Sequence, residues 1–334
     1  MPITPNEAKS LAYEVALEAF YKYFSTRTDV TTSHILLSVL FPDESAIRSI
    51  MGGLETSLGT RLWENLARFI AEKNDFVVKN PKTELMRPVN LPAEVTNLIG
   101  QWRELRETSH PTPSMAEYKV ALSKLLPNLT FEREFQHLNK GSGADLFLVK
   151  GDQEWAFDIK TVQINAGSGP KFNGTLMEWV AYRAIMQSQT NNFLNVSIVI
   201  PYDPTVNEWW HHFSGRISPL TQEDVVVADN FWDFLGGVPG VLDFIKAGFS
   251  ELNRDHGELL RLALLGMSNE VHLRLVNISR KVQPTKSSNG WTKGRISWTC
   301  QLCGSNFEAT YNNINKAEKT CPNHCKKPIS LVMD

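Results

Sequence analysis

The chain has 334 residues, 42% hydrophobic and 21% charged, with a formal net charge of −2. This is an ordinary soluble, globular composition, long enough for one large domain plus an appendage or for two domains. It holds no internal repeats or long low-complexity segments, and its apolar runs, such as ILLSVLF (35–41), fall far short of the ~20 residues of a membrane span.

The N-terminus, MPITPNEAKSLAYEVALEAF, reads as neither a signal nor a transit peptide, so a cytoplasmic protein is expected. The net charge hides an asymmetry. From Lys281 to Asp334 there are eight Lys or Arg and three acids, a net of +5, which leaves −7 for the preceding 280 residues. A basic module on an acidic body suggests a polyanionic partner.

Residues 6–25 read as an amphipathic helix, and a second starts near Thr32 and ends before Pro42. A longer one runs from about Gly59 to Lys73 with Leu62, Leu66, Phe69 and Ile70 on one face. Helices also fit 92–107 and 114–125, the latter opened by a Ser114/Glu117 capping box. The pattern changes after Pro127, where LTFEREFQ (129–136) alternates as a half-buried strand does. A second capping box, Thr175 with Glu178, is expected to open a helix TLMEWVAYRAIMQ; NVSIVI (195–200) is a short strand stopped by Pro201, and helices follow around 229–235 and 249–265. The expected division is a mainly helical region 1–127, an α/β core 128–280, a linker 281–290 and a C-terminal module 291–334.

The most informative stretch is GADLFLVKGDQEWAFDIK (143–160). Gly151-Asp152 suits a two-residue type II′ hairpin turn. That register sets Leu146 opposite Phe157 and, one step on, Asp145 opposite Asp158. Alternation puts Leu146, Leu148, Trp155, Phe157 and Ile159 on a core face, and Asp145, Asp158 and Lys160 on the other. Two directly opposed carboxylates, with Cβ atoms about 5 Å apart, repel, and sheet stability gives no reason for the arrangement. A divalent cation does, since Mg²⁺ prefers carboxylate oxygens. The bland alternative is a solvated sheet face with charges placed by chance.

Asp, about a dozen residues, then Asp/Glu-x-Lys on a hairpin resembles the PD-(D/E)xK nuclease superfamily, here as Asp145 followed by Asp158-Ile159-Lys160, with Ala144 in place of the Pro. TSLGTRLWENLARFIA (56–71), TLMEWVAYRA (175–184), IVIPYDP (198–204) and VVVADNFWDFLGG (225–237) together resemble type II restriction endonucleases of the TdeIII-like group, associated with GGNCC-type palindromes. The resemblance spans roughly residues 30–260. It implies a restriction-endonuclease-like mixed sheet flanked by helices, and Mg²⁺-dependent, site-specific cleavage of double-stranded DNA. Asp145 and Asp158 would hold Mg²⁺, and Lys160 would orient or deprotonate the attacking water. A homodimer matching a palindrome is implied, as is a cognate DNA methyltransferase acting on the same site.

Glu64 lies on a helix that approaches the site in this fold, but helical spacing turns it away from Leu62, Leu66 and Phe69, which favours a solvated side chain over an auxiliary ligand. Glu132 and Glu134 read as surface charges, and Glu178 as a cap. Gln163 and Lys171 are positioned to reach phosphate. The Trp209, Trp210, His211 and His212 cluster reads as structural, with a minor role for its His or for Arg216 on DNA.

All four Cys lie in one segment, Cys300-x₂-Cys303 and Cys321-x₃-Cys325 separated by seventeen residues. The spacing matches a tetrahedral structural Zn²⁺ site, a zinc ribbon, with His324 an alternative fourth ligand. Two rivals stand beside the restriction-enzyme reading: a structure-specific repair or recombination nuclease of the same superfamily, and a non-catalytic zinc-ribbon DNA-binding protein. No Walker A run and no G-x-S-x-G are present.

Overall fold

The computed structural model describes residues 1–26, 42–160, 165, 167–188, 192–205 and 208–264, together with short strands within 286–310. In chain order the elements are α1 (Pro5–Thr26), α2 (Pro42–Leu58), a π turn (Gly59–Trp63), α3 (Glu64–Lys73), β1 (Val77–Lys79), a one-turn helix (Pro81–Glu84), β2 (Met86–Pro88), α4 (Ala93–Thr108) and α5 (Met115–Leu125). There follow β3 (Phe135–His137), β4 (Leu146–Lys150), β5 (Gln153–Ile159), α6 (Gly169–Gln187), β6 (Asn195–Ile200), α7 (Trp209–Ile217), β7 (Val225–Val227), α8 (Asp229–Gly236) and α9 (Val241–Leu264).

The chain divides into two units, Met1–Ala8 with Trp63–Phe244, and Lys9–Leu62 with Ile245–Asp334. The second unit is helical over residues 9–26, 42–58 and 245–264. Tyr23, Phe24, Ile50 and Leu54 form its buried core, joined by Phe20, Leu58, Leu259 and Leu260. A Cβ on Gly248 would stand 2.3 Å from the Lys9 carbonyl oxygen, so only glycine lets α9 approach α1 this closely. Helix α2 was not anticipated, although Pro42 at its start followed by Asp43 and Glu44 is a helix-opening pattern. The helix expected from Thr32 to just before Pro42 lies outside the described residues. In the C-terminal segment, Lys286–Ser287 pairs with Gly290–Trp291, and Arg295–Thr299 with Asn306–Thr310. Cys300, Cys303, Cys321 and Cys325 lie outside the described residues.

The first unit is built on a mixed five-stranded sheet in the order β1-β4-β5-β6-β7. Strands β1, β4 and β5 are antiparallel neighbours, whereas β5, β6 and β7 run parallel. The β4–β5 hairpin has the expected register, Lys150 opposite Gln153 out to Leu146 opposite Phe157. Gly151 takes φ +62° at the first turn position, as a type II′ turn requires.

Both faces of the hairpin are covered. Phe147 and Ala156 are fully buried in a core shared with Leu176, Val180 and Ala184 of α6. On the opposite face Trp155 and Phe157 meet Phe76, Phe231 and Phe234 edge-on or tilted, with ring centroids 5.2–6.1 Å apart within this cluster. The Asp145 and Asp158 side of the sheet is therefore not a solvated face, which removes the bland reading of those charges. Helix α6 is buried nearly all round, as befits a helix clamped between the sheet and other helices. Arg183 fastens it to β5 with two bonds to Glu154, 2.8 and 2.6 Å.

Two expectations need correction. Only Phe135–His137 of the strand expected over 129–136 forms a ladder, with β2. Leu129 and Phe131 pack individually against the core, which produces the alternating pattern without a neighbouring strand. Helix α6 begins at Gly169, with Pro170 in its first turn, so Thr175 and Glu178 lie inside it and form no capping box. The Ser114/Glu117 box does form.

The approach to β7 depends on one buried ion pair. Arg106 of α4 binds Asp224, both side chains being essentially inaccessible. The same Asp224 oxygen accepts from the Thr221 N–H at 2.7 Å and the Thr221 hydroxyl at 2.9 Å, while Nε and Nη1 of Arg106 have no partner. Removing Asp224 would strand a buried guanidinium. Asp224→Ala should cost ~3–5 kcal/mol in equilibrium urea unfolding, and adding Arg106→Met should recover part of the loss.

Candidate active site

The hairpin delivers its acidic residues to the sheet edge where parallel β5, β6 and β7 all end. Asp145 stands just before β4. Its N–H donates to the Phe157 carbonyl at 2.9 Å, and one of its carboxylate oxygens accepts from the Ile159 N–H at 2.8 Å. The ladder itself stops at Leu146 and Phe157, yet the Asp145 and Asp158 carboxyl groups still meet and hydrogen-bond to one another. The loop before Asp145 is anchored by Trp179, whose indole N–H donates to the Ser142 carbonyl at 2.8 Å.

Asp158 is 7% exposed and faces Lys160, whose ammonium group forms an ion pair with its carboxylate. The Lys160 N–H extends the β5–β6 pairing, donating to the Val199 carbonyl at 2.8 Å, and its ammonium lies 5.9 Å from the centre of the Phe172 ring. The three residues singled out in sequence thus converge.

Burial pushes the Asp145 carboxyl up to about 7, and the hydrogen bond to Asp158 and the charge of Asp158 add to the shift. The Ile159 N–H and Lys160 oppose it. Among the described residues no set of three or more His, Cys, Asp and Glu converges as a ready-made metal site. The donors that do meet are hard carboxylate oxygens, which suit Mg²⁺, an ion that commonly takes one or two carboxylates and completes its shell with water and phosphate.

Glu64 is half-buried and belongs to this cluster, contrary to the solvated position expected for it. Burial raises its carboxyl to about 6, with Lys160 and Arg68 pulling the other way and Asp158 adding to the rise. Most of the expected apolar face is buried: Leu66 and Ile70 of α3 and Leu62 just before it are covered, together with Ala67 and Ala71, and Phe69 is the exception, being exposed. Glu64, Arg68, Lys79, Asn80 and Asp145 line a cleft of about 300 Å³. Arg68 was legible as the residue one turn beyond Glu64; Lys79 and Asn80 reach the cleft through β1 pairing with β4, which nothing local in the sequence announces.

The remaining candidates lie elsewhere. Glu132 accepts from Asn90 at 2.7 Å and Glu134 is exposed, both as surface charges. The charged neighbours of Glu178 are Arg103 and Arg87, away from the carboxylate pair. Lys171 is exposed on the first turn of α6, and Gln163 lies outside the described residues. In α7, Trp209 is buried whereas His211 and His212 are exposed, and the Arg216 guanidinium lies 5.3 Å from the Phe213 ring centre.

A family model described as type II restriction endonuclease, HinfI, matches residues 18–247, more than half of the chain. Neither a curated protein nor a solved structure matches.

The raised Asp145 carboxyl predicts a pH-dependent stability. Its folded value of about 7 lies above the ordinary 3.8, so its favourable contribution is complete below pH ~4 and is lost as pH rises through 7. Asp145→Asn keeps the acceptor for the Ile159 N–H and removes the charge. It should therefore be more stable than wild type at pH 8 by about 1–3 kcal/mol, with a smaller difference at pH 5. Thermal melts at the two pH values check this, and Mg²⁺ should raise the wild-type melting temperature at pH 8 but not that of the variant.

Proposed function

Because the chain belongs to the HinfI family of type II restriction endonucleases, we propose that it cleaves double-stranded DNA at a short palindrome by Mg²⁺-dependent phosphodiester hydrolysis. The observation that carries this reading is the meeting of Asp145, Asp158 and Lys160 at one end of the sheet, with Glu64 beside them.

Asp145 and Asp158 would hold the cation, with the Ile159 carbonyl available as a further ligand. When bound, Mg²⁺ supplies Lewis acidity towards a phosphoryl oxygen and a more acidic water. Lys160 positions the attacking water and meets the charge that builds on the phosphate. Phe172 holds the Lys160 ammonium on one side while Asp158 holds it on the other, which limits its search for the reactive geometry. Glu64 sits where it can accept a hydrogen bond from water in the same shell. Arg68 and Lys79, lining the adjoining cleft, supply positive charge for a neighbouring phosphate.

A homodimer and a protecting methyltransferase for the same site complete the proposal, since a palindrome presents equivalent strands. The segments resembling the TdeIII-like group make a GGNCC-type palindrome the first site to test, although the matched family is described as HinfI. The C-terminal segment is proposed to bind structural Zn²⁺ through Cys300, Cys303, Cys321 and Cys325. In support, Cys300 and Cys303 fall between the paired strands Arg295–Thr299 and Asn306–Thr310, where a zinc knuckle would sit. No helix among the described residues is long and apolar enough to cross a membrane.

Incubation of the full chain with a sequenced plasmid and Mg²⁺, followed by mapping of the ends, should give discrete bands with one recurring sequence. A smear, or cutting only at branches, would favour the repair-type rival; binding without cutting would favour a non-catalytic DNA-binding protein. Asp145→Ala, Asp158→Ala and Lys160→Ala should each lower cleavage at least ~10³-fold while sequence-specific binding persists, and Glu64→Gln should lower it less. Zinc chelation should expose the C-terminal segment to protease; unchanged resistance would end the zinc assignment.

A further inference from the structure

A second cavity, about 450 Å³, opens beside β7 and α7. Its polar groups come from Asp203, Gln222, Asp229 and Asn230, and its aromatic wall from Trp209 and Trp210. Trp209 is 1% exposed, yet its indole N–H has no acceptor. Ala228, also lining the cavity, is held at φ 46° and ψ −115°, a strained conformation for a residue with a Cβ. It is fixed there by its N–H, which donates to the Ile200 carbonyl at 2.8 Å, and by its carbonyl, which accepts from the Phe231 and Trp232 N–H groups.

The lining states what chemistry it suits. No Lys or Arg lines the cavity and two carboxylates, Asp203 and Asp229, do, so a phosphate is disfavoured. A purely apolar occupant would displace water from the Gln222 and Asn230 amides and from two carboxylates without replacing its hydrogen bonds. What remains is a planar group with both donors and acceptors on its edge. Trp210 can cover its face, the Gln222 and Asn230 amides can donate, and Asp229 can accept from an exocyclic amine.

Position supplies the source. Ala228, Asp229 and Asn230 follow the end of β7 as Lys160 follows the end of β5, and the intervening β6 is parallel to both. They therefore stand on the same rim as the carboxylate pair, two strands away, or roughly 10 Å at the usual strand spacing. That distance corresponds to roughly three base steps along DNA. Resting on the reading of the chain as a DNA nuclease, we infer that this cavity receives one nucleobase of the bound DNA, two to four steps from the cut, and that Trp210, Gln222, Asp229 and Asn230 determine which base is accepted there.

The test separates this inference from the nuclease reading. Full-length Lys160→Ala protein selects binding sites from a randomised duplex pool; Trp210→Ala, Gln222→Ala and Asn230→Ala are then added singly to that background. The expected result is loss of preference at one base pair, from ~10–100-fold to below ~3-fold, with the other positions retained. Trp210→Phe, which keeps an aromatic face, should preserve it. Should Trp210→Ala fail to fold, the exposed amide variants carry the test alone. An unchanged sequence profile in every variant overturns the inference, as does a parent protein that selects no sequence. So does quenching of tryptophan fluorescence by deoxynucleoside monophosphates with the DNA profile unaltered, which would assign the cavity to a free nucleotide. A wild-type protein that leaves the selected site uncut in Mg²⁺ would instead remove the nuclease reading, with the base-reading result standing by itself.

Discussion

Two carboxyl groups held side by side at the end of one hairpin are the constraint on which the first unit turns. Like charges a few ångströms apart cost from about 1 kcal/mol in water to several times that where water is excluded, and here both faces of the hairpin are covered. Fixed backbone groups hold the pair in place: the Phe157 carbonyl and the Ile159 N–H clamp Asp145, and the type II′ turn at Gly151 sets the register. The opposition is thus set by backbone bonds just beyond the end of the ladder.

Around that pair, packing and polar contacts divide the labour. Helix α6 fills the space over Phe147 and Ala156, and Trp179 reaches from it to tie down the loop before Asp145. The Arg183 fork locks the same helix to β5, so the helix that supplies Phe172 beneath Lys160 is tied to the strand that carries Asp158. Helix α3 brings Glu64 from the opposite face. The reacting groups therefore rest on rigid elements, and their supports are buried aromatic and ion-pair contacts rather than loops.

Sequence reading went far where the determinants are local. The hairpin register follows from Gly151-Asp152 and strict alternation, and with it the convergence of Asp145, Asp158 and Lys160. The strand Asn195–Ile200 and the Ser114 cap are local in the same sense. It fell short where tertiary contacts decide. Short β1 and β7, three residues each, carry no period of their own and exist because β4 and β6 offer open edges. The half-buried position of Glu64 was missed because the charged groups around it, Lys160 and Asp158 at the end of β5, are brought there by tertiary contacts. The cover over the Asp145 face comes from α6, a helix hydrophobic all round and therefore silent about which side it buries.

The direction of the last three strands has an evolutionary corollary. On the proposed function, hydrolysis depends on what lies at the tip of β5, and the connectors after β6 and β7 emerge at the same border. Retargeting such an enzyme would then be a matter of exchanging short connectors along one border, leaving the bond-breaking apparatus as it is. A scaffold arranged in this way can diversify what it attacks faster than how it attacks.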